Sequence, residues 1–236
     1  MRLDHVVEGH GPPLVLSGSL GTTRAMWQPN ASALAAHHLL VRYDHPGHGG
    51  SPAGPRTIEE LAQGVLSLAD ALGLDRFAFC GLSFGGMVGM WLAAHEPDRI
   101  ERLVVCCAAP YLPPRDQWLE RAATVREHGM GAVADVVVGR WFTERFTDRD
   151  RWRRMLLSIP PEGYARACEA IAALDLREDL PRINVPTTVI LGSHDPVVGD
   201  ENRRLLEQLG PVVELDAAHL ANVEQPGAFA EAVLRG

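Results

Sequence analysis

The stretch Phe79-Cys80-Gly81-Leu82-Ser83-Phe84-Gly85-Gly86 decides the fold that we predict for this chain. It contains a G-x-S-x-G pattern where an apolar run of strand type gives way to a helical pattern. A serine between a strand and a helix lies on a sharp, strained turn, and the backbones approach each other there only if the residues two positions away are small. The pattern therefore predicts a strand-turn-helix unit that presents the Ser83 hydroxyl as a nucleophile.

Strand-type and helix-type patterns alternate on both sides of this unit, as is typical of a mostly parallel, twisted sheet with helices on both faces. We predict strands near Pro13–Ser17, Leu39–Asp44, Phe77–Cys80, Arg102–Cys107, Thr187–Leu191 and Val212–Leu215. Predicted helices run from an N-cap at Thr57 to Leu72, from Phe84 to about His95, near Asp200–Leu209 and from about Pro226. Glu60 occupies the capping-box position of the first of these helices, and Gly73 is its predicted stop. The fold class is thus α/β.

Residues 113–175 break this alternation, because their apolar periodicity is helical and contains no strand pattern. The block holds three of the five tryptophans and ten of the 22 arginines, and its ten acidic residues make it nearly neutral. We predict a helical cap inserted at 113–175 into an α/β core formed by residues 1–112 and 176–236.

Composition narrows the functional classes. The length of 236 residues and the hydrophobic share of 46% are typical of one folded domain. The formal charge of -8 argues against a nucleic-acid partner, because phosphate binding requires clustered positive charge. All 22 residues counted as positively charged are arginines, and the absence of lysine excludes Schiff-base and pyridoxal phosphate chemistry. We expect an enzyme that needs no cofactor.

The cysteines and the chain start bear on location. Cys80, Cys106, Cys107 and Cys168 lie mostly inside apolar runs without metal-ligand spacing, so we predict reduced core residues. The first residues contain no apolar signal segment, and no run of about 18 apolar residues follows. We therefore expect a cytoplasmic protein with no membrane partner, and homo-oligomerisation stays open.

A serine hydroxyl is a weak nucleophile, so a histidine base is expected to accompany Ser83. In folds with this turn the chain order is serine, acid, histidine, which leaves His95, His128, His194 and His219. His219 follows the last predicted strand, and functional groups of open α/β sheets gather at the carboxyl ends of strands. His95 and His128 have more ordinary roles, as a helix C-terminal charge and a surface side chain. We predict His219 as the base.

Asp195 is the predicted acid, because it follows the strand Thr187–Leu191 at its carboxyl end. A buried carboxylate there fixes the tautomer of His219 and stabilises the imidazolium. Asp216 is the competing residue, three positions before His219. Its place at a strand end favours a loop-capping role, and chain order favours Asp195.

Two backbone amides are predicted to form an oxyanion hole. One belongs to Phe84, the residue after the candidate nucleophile, at the positive end of a helix. The second is expected from the loop after the strand Pro13–Ser17, where we choose Ser19 and keep Leu20 as the alternative.

The segment Arg42–Ser51 is rich in histidine and glycine, but it offers no third ligand at a spacing that a metal site requires. We interpret His45 and His48 as parts of a hydrogen-bonded turn and predict no metal.

With these residues in hand, the chain resembles the 3-oxoadipate enol-lactonases of the α/β-hydrolase superfamily. The resemblance is carried by Ser17-Gly18-Ser19-Leu20-Gly21-Thr22, Arg42-Tyr43-Asp44 with Gly47-His48-Gly49, Cys80-Gly81-Leu82-Ser83-Phe84-Gly85-Gly86-Met87, Arg140-Trp141-Phe142-Thr143, Asp175-Leu176-Arg177 and Ala218-His219-Leu220-Ala221-Asn222-Val223-Glu224-Gln225-Pro226. The segment 140–143 and the segment 222–226 look specific to the lactonases. The amino-terminal strands look shorter than in that family, and His45-Pro46 stands where a threonine-arginine pair is usual.

The resemblance implies that Ser83 opens a small anionic enol-lactone through an acyl-enzyme, in the catabolism of aromatic compounds. The carboxylate of such a substrate requires a local cation, and the arginine fork suits it. We choose Arg140 as this cation and Trp141 as a pocket wall, with ordinary packing of the cap as the alternative for both. Two other functions fit the sequence: a general carboxylesterase or different lactonase of this fold, and a non-catalytic small-molecule receptor that retains it.

Overall fold

The fold is that of a computed structural model, which describes residues 2–54 and 57–235. Within these residues, seven strands form one sheet in the order β1-β3-β2-β4-β5-β6-β7. The strands are β1 (His5–Glu8), β2 (Pro13–Ser17), β3 (Leu39–Tyr43), β4 (Phe77–Leu82), β5 (Ile100–Cys106), β6 (Thr187–Gly192) and β7 (Val212–Leu215). Strand β1 is antiparallel to β3, and all other pairs are parallel.

Helices cover both faces of this sheet. They are α1 (Gln28–Ala35), α2 (Ile58–Ala71), α3 (Phe84–His95), α4 (Arg115–His128), α5 (Gly131–Trp141), α6 (Arg149–Leu157), α7 (Pro161–Ala173), α8 (Asp200–Leu206), α9 (Ala221–Glu224) and α10 (Pro226–Arg235). Helix α3 packs on β2, β4 and β5 with α2 beside it, whereas α1 and α10 pack together and contact β3, β6 and β7. The predicted α/β class is confirmed.

Local signals predicted most of these elements. Strand β4 is buried along its whole length, as a central parallel strand requires. Helix α2 starts with the predicted capping box, because the Thr57 hydroxyl accepts from Glu60 N–H and the Glu60 carboxylate accepts from Thr57 N–H, both at 3.2 Å. Gly73 follows its end at φ +70°, a conformation that glycine adopts without strain.

Strand β1 and helices α1 and α9 were not predicted from the sequence, and α8 was predicted too long. Strand β1 at an antiparallel edge and helix α9 have four residues each, too few for a clear periodicity. Helix α1 buries a polar residue, Asn30, beside Ala31 and Leu34, so its apolar face is weak. Helix α8 ends at Leu206, before the predicted Leu209.

Helices α4 to α7 lie between β5 and β6 along the chain, and we call them the cap helices. Helix α4 packs on α7, and α5 contacts both α4 and α6. Trp152 of α6 and Tyr164 of α7 are fully buried. These helices therefore have an apolar interior of their own.

A glycine pair lets the cap helices approach the core closely. Gly163, near the start of α7, lies against Gly47 in the turn after β3. A Cβ atom on Gly163 would lie 2.1 Å from the Gly47 carbonyl oxygen, and one on Gly47 would lie 2.4 Å from Gly163 Cα. Because both obstacles are backbone atoms, neither can move aside cheaply.

We predict that Gly163→Ala lowers the free energy of unfolding by about 1–3 kcal/mol, the usual cost of overpacking. Gly139→Ala is the matched control, because a Cβ atom added to Gly139 in α5 would meet no other atom within 4 Å. Alanine there should raise the free energy of unfolding by up to about 1 kcal/mol through helix propensity. Urea unfolding measures both changes, and equal effects of the two variants would contradict the close contact.

Candidate active site

Ser83 lies on a strained turn between β4 and α3. Its φ of +56° is in the left-handed region, which non-glycine residues rarely adopt. The Ser83 N–H donates to the Cys106 carbonyl at 2.8 Å, and the Ser83 carbonyl accepts from Met87 N–H at 3.1 Å. Strained residues of this kind persist only where the surroundings hold them, and they cluster at functional sites.

The two glycines of the G-x-S-x-G pattern permit this turn. A Cβ atom on Gly81 would lie 2.2 Å from the Gly85 carbonyl oxygen. A Cβ atom on Gly85 would lie 2.1 Å from the Ser17 carbonyl oxygen, and Gly85 N–H donates to the Gly18 carbonyl at 3.0 Å. The turn is therefore fixed directly to the loop that follows β2.

His219 and Asp195 form a buried pair at the carboxyl ends of two neighbouring strands. Asp195 follows β6, His219 follows β7, and β6 pairs with β7. His219 Nδ1 lies 3.0 Å and 3.1 Å from the two carboxylate oxygens of Asp195. The side chains are 5% and 1% exposed. Because a carboxylate only accepts, Nδ1 carries the proton, and Nε2 of the neutral ring is left as an acceptor.

Asp216, the competing acid, does not contact His219. Its side chain is 58% exposed and pairs with Arg145 at 2.6 Å and His194 at 3.0 Å. Arg145, and to a smaller extent His194, lowers the pKa of the Asp216 carboxyl. Of the two remaining candidate histidines, His95 stacks on Trp91 at the end of α3, and His128 is exposed at the end of α4.

Three backbone amides were predicted or considered as oxyanion donors: Phe84 directly follows Ser83, and Ser19 and Leu20 line the same cavity as Ser83. The Phe84 N–H, at the start of α3, has no acceptor within the described residues. The Ser19 N–H points to the Met26 sulfur at 3.2 Å, and a thioether is a weak acceptor. The Leu20 N–H has no acceptor within the part of the chain that is described. Amides of Phe84 and of the Ser19–Leu20 segment are thus available to an incoming oxygen atom.

Two buried histidines form hydrogen bonds with the loop after β2, which contains Ser19 and Leu20. His45 Nε2 donates to the Gly18 carbonyl at 2.9 Å, and its ring packs on Phe84 with centroids 4.9 Å apart. His48 Nε2 accepts from Gly21 N–H at 3.2 Å, so its proton is on Nδ1, which donates to the Pro46 carbonyl at 3.2 Å. Burial is the main reason why the pKa of His45 falls to about 3 and that of His48 to about 4. Both rings are therefore neutral at pH 7.

Ser83 and His219 line one cavity of about 320 Å³ between the core and the cap helices. Arg140 and Trp141, the predicted substrate-binding residues, also line it. The other lining residues are Ser19, Leu20, Leu112, Pro113, Gln117, Trp118, Arg121, Val137, Tyr164, Ile171, Pro196 and Val197. Most of the lining residues are thus apolar or aromatic, and two are arginines.

Arg121 was missed in the sequence. It lies on α4 three residues after Trp118, on the same helix face, and its guanidinium lies 4.7 Å from the Trp118 ring centroid. Within the described residues, neither Arg121 nor Arg140 forms an ion pair with a carboxylate. The spacing of Trp118 and Arg121 is the signal that could have identified it. The cavity therefore offers two uncompensated positive charges.

Within the described ranges, no group of three or more His, Cys, Asp or Glu side chains is arranged to hold a metal ion. All four cysteines are free and buried, as predicted. None of the helices in those ranges has the length and apolar character needed to cross a bilayer.

Comparison with known proteins places these features in a family. Residues 10–232 match the alpha/beta hydrolase family. The chain is 38% identical to 3-oxoadipate enol-lactonase 2 of Acinetobacter baylyi, over 94% of this chain and 87% of that protein. The resemblance inferred from the sequence is confirmed.

Solved structures of similar proteins have the same fold. The enol-lactonase from Burkholderia xenovorans LB400 superposes with a TM-score of 0.94 at 42% identity, covering 99% of this chain and 95% of that one. A thermophilic esterase from Thermogutta terrifontis, solved with malate bound, superposes with a TM-score of 0.93 at 28% identity, covering 99% and 92%. The predicted hydrolase fold is therefore confirmed as well.

The buried, neutral rings of His45 and His48 predict that the free energy of unfolding decreases in acid. Their folded-state pKa values lie below the unfolded value of about 6.5, so the unfolded chain binds more protons between about pH 6.5 and pH 4. Stability is fully present above pH 6.5 and falls as the pH decreases toward 4, by up to about 1.4 kcal/mol per pH unit for each ring. His48→Gln should reduce this slope in urea unfolding, and His128→Gln, at an exposed helix end, should not. Parallel slopes for His48→Gln and the parent would contradict the assignment.

Proposed function

Because this chain belongs to the alpha/beta hydrolase family, we propose that it hydrolyses 3-oxoadipate enol-lactone to 3-oxoadipate. Ser83 acts as nucleophile, His219 as general base and Asp195 as the acid that orients it. The observation that carries the proposal is the convergence of a strained serine and a buried His219–Asp195 pair on one cavity, which is also lined by two arginines without a carboxylate partner among the described residues. The A. baylyi relative, named for this reaction, matches along most of both chains.

The first step is acylation of Ser83. Nε2 of His219 removes the hydroxyl proton as the oxygen attacks the ring carbonyl of the lactone. Asp195 stabilises the imidazolium that forms, and the amide of Phe84 with that of Ser19 or Leu20 donates to the oxyanion. Each such donor is typically worth about 3 kcal/mol of transition-state stabilisation.

Collapse of the tetrahedral intermediate breaks the ring C–O bond and leaves the acyl group on Ser83. The leaving oxygen departs as an enolate, which becomes a ketone when it is protonated on carbon. Because the ketone is much more stable than the enol, ring opening is strongly downhill, and His219 need supply only a proton.

Deacylation repeats the sequence with water. His219 removes a proton from the water molecule, hydroxide attacks the ester carbonyl, and the Ser83 oxygen leaves with the proton returned by the imidazolium. The products are 3-oxoadipate and the free enzyme, so no cofactor enters the balance.

The carboxylate of the substrate is bound by the cap, which in this proposal comprises residues 113–175. Arg140 and Arg121 supply the charge, and Trp141 forms a wall of the pocket. A net acidic protein gives an anion no general attraction, so a local pair of arginines has to provide it.

We predict that Ser83→Ala lowers kcat for the lactone by about four orders of magnitude or more, with an unchanged far-ultraviolet circular dichroism spectrum. Asp195→Asn should lower kcat to a similar extent, because the amide stabilises the wrong tautomer of His219. Asp216→Asn and Ser67→Ala are the matched controls at exposed positions and should stay within about twofold of the parent. A Ser83→Ala enzyme with near-parental turnover would refute the mechanism.

We predict that Arg121→Gln and Arg140→Gln each raise KM for the lactone about tenfold or more, because each removes a charge-assisted bond to the carboxylate. KM for the uncharged ester p-nitrophenyl acetate should change little. Arg154→Gln is the charge-matched control on the exposed side of α6. Unchanged KM values for the lactone in both variants would contradict this role of the arginines.

The rival function is that of a general carboxylesterase, which the T. terrifontis esterase favours by its similar fold. Competition distinguishes the two. Under the proposed function, 3-oxoadipate inhibits p-nitrophenyl acetate hydrolysis by the parent, and inhibition weakens in Arg121→Gln and Arg140→Gln. An absence of inhibition at high millimolar 3-oxoadipate favours the general esterase.

A further inference from the structure

Glu224 connects the loop of His219 to the cap helices. Its Oε1 accepts from both the N–H (3.0 Å) and the hydroxyl (2.7 Å) of Thr143, in the segment after α5. Its Oε2 accepts from the N–H of Ala218, the residue before His219, at 2.6 Å. One carboxylate oxygen therefore serves each side, and we call this arrangement the Glu224 bridge.

A second hydrogen bond joins the His219 loop to the cap, on the other side of His219. The N–H of Leu220 donates to the carbonyl of Trp141 at 3.0 Å. The peptide groups on both sides of His219 are thus held by the segment Trp141–Thr143, either directly or through Glu224. Trp141 also lines the cavity, so one segment sets both a pocket wall and the histidine loop.

The cap side of the bridge is held firmly. Arg149 donates from its guanidinium to the carbonyl of Thr143 at 2.6 Å, of Phe142 at 3.3 Å and of Phe146 at 3.1 Å. Three carbonyls of one short segment thus share one cation, and Thr143 is fixed relative to α6.

The core side is held equally well. The Asn222 side chain donates to the Met26 carbonyl at 3.0 Å and to Asn30 Oδ1 at 3.1 Å. The Asn30 side chain donates in return to the Asn222 carbonyl at 3.0 Å. Both asparagines are fully buried. The short helix that carries Glu224 is therefore fixed to the segment that follows the Ser19–Leu20 loop.

We propose that Glu224 is a positioning residue that aligns His219 with Ser83 by fixing the histidine loop to the cap. The inference rests on the proposed role of His219. Two hydrogen-bonded segments meet at the Glu224 bridge, and a displacement of the His219 loop by about 1 Å is enough to cost up to about 100-fold in rate. The position of the cap and the orientation of the His219 imidazole are then coupled.

The bridge also joins the two segments whose sequences look specific to the lactonases. The segment 140–143 in the cap and the segment 222–226 after His219 lie about 80 positions apart in the chain, and Thr143 and Glu224 are 81 residues apart. The bridge is where these segments meet.

Three substitutions test the inference. Glu224→Gln keeps the size of the side chain but has only one acceptor oxygen. Its NH₂ group therefore faces a donor, either that of Ala218 or those of Thr143. Thr143→Val removes only the hydroxyl bond and lies outside the 320 Å³ cavity. Thr124→Val is the matched control, because it removes a threonine hydrogen bond elsewhere in the cap, from Thr124 to the Glu120 carbonyl on exposed α4.

We predict that Glu224→Gln lowers kcat for p-nitrophenyl acetate by about 10- to 100-fold, with KM within about twofold. Thr143→Val should lower kcat by about three- to tenfold, and Thr124→Val should leave it unchanged. The double variant Glu224→Gln/Thr143→Val should be no slower than Glu224→Gln alone, because both changes break one connection. Thermal melting confirms that each variant is folded at the assay temperature.

A readout other than activity is the proton NMR resonance of His219 Nδ1–H, assigned by its loss in His219→Gln. This resonance should shift or broaden in Glu224→Gln and Thr143→Val and match the parent in Thr124→Val. Variants that melt earlier but keep the parental kcat and resonance would overturn the inference and leave Glu224 a structural brace. If the parent hydrolyses neither lactone nor ester, the proposed function fails, and the resonance still decides whether the bridge positions His219.

Discussion

The structure depends on one steric constraint, the close approach of three backbone segments around Ser83. The turn after β4 can hold a serine at positive φ only because Gly81 and Gly85 carry no side chain where they meet each other and Ser17. This contact joins the start of α3 to the loop after β2. Everything else in the site is built on the resulting edge, where the carboxyl ends of β2, β4, β6 and β7 lie in one row.

Buried polar groups then hold the edge in a single arrangement. The neutral rings of His45 and His48 satisfy the backbone of the loop that carries Ser19 and Leu20, and they do so without adding charge. The side chain of Asp195 is buried as a carboxylate, which accepts from His219 and from Val197 N–H at 2.9 Å. Donors on both sides stabilise the buried carboxylate, and its contact with Nδ1 fixes the tautomer of the imidazole.

The cap helices contribute positive charge to the cavity and a connection to the His219 loop. The protein as a whole is acidic, but the cavity wall carries Arg121 and Arg140 without carboxylate partners within the described residues. The same segment that presents Arg140 and Trp141 continues to Thr143 and the Glu224 bridge. In the proposed function, binding of the substrate anion and alignment of His219 would therefore depend on the same short segment of the cap, residues 140–143.

The sequence by itself determined the strand-turn-helix unit at Ser83, the capping box of α2 and the α/β alternation, because each rests on residues within one or two turns of chain. Chain order was enough to nominate His219 and Asp195. Only the tertiary structure decided that Asp195 and not Asp216 contacts His219, because that depends on which loops adjoin across β6 and β7. Only the tertiary structure placed Arg121 in the cavity and Glu224 between the His219 loop and the cap. A helix pattern reveals which residues share a face but not what that face contacts.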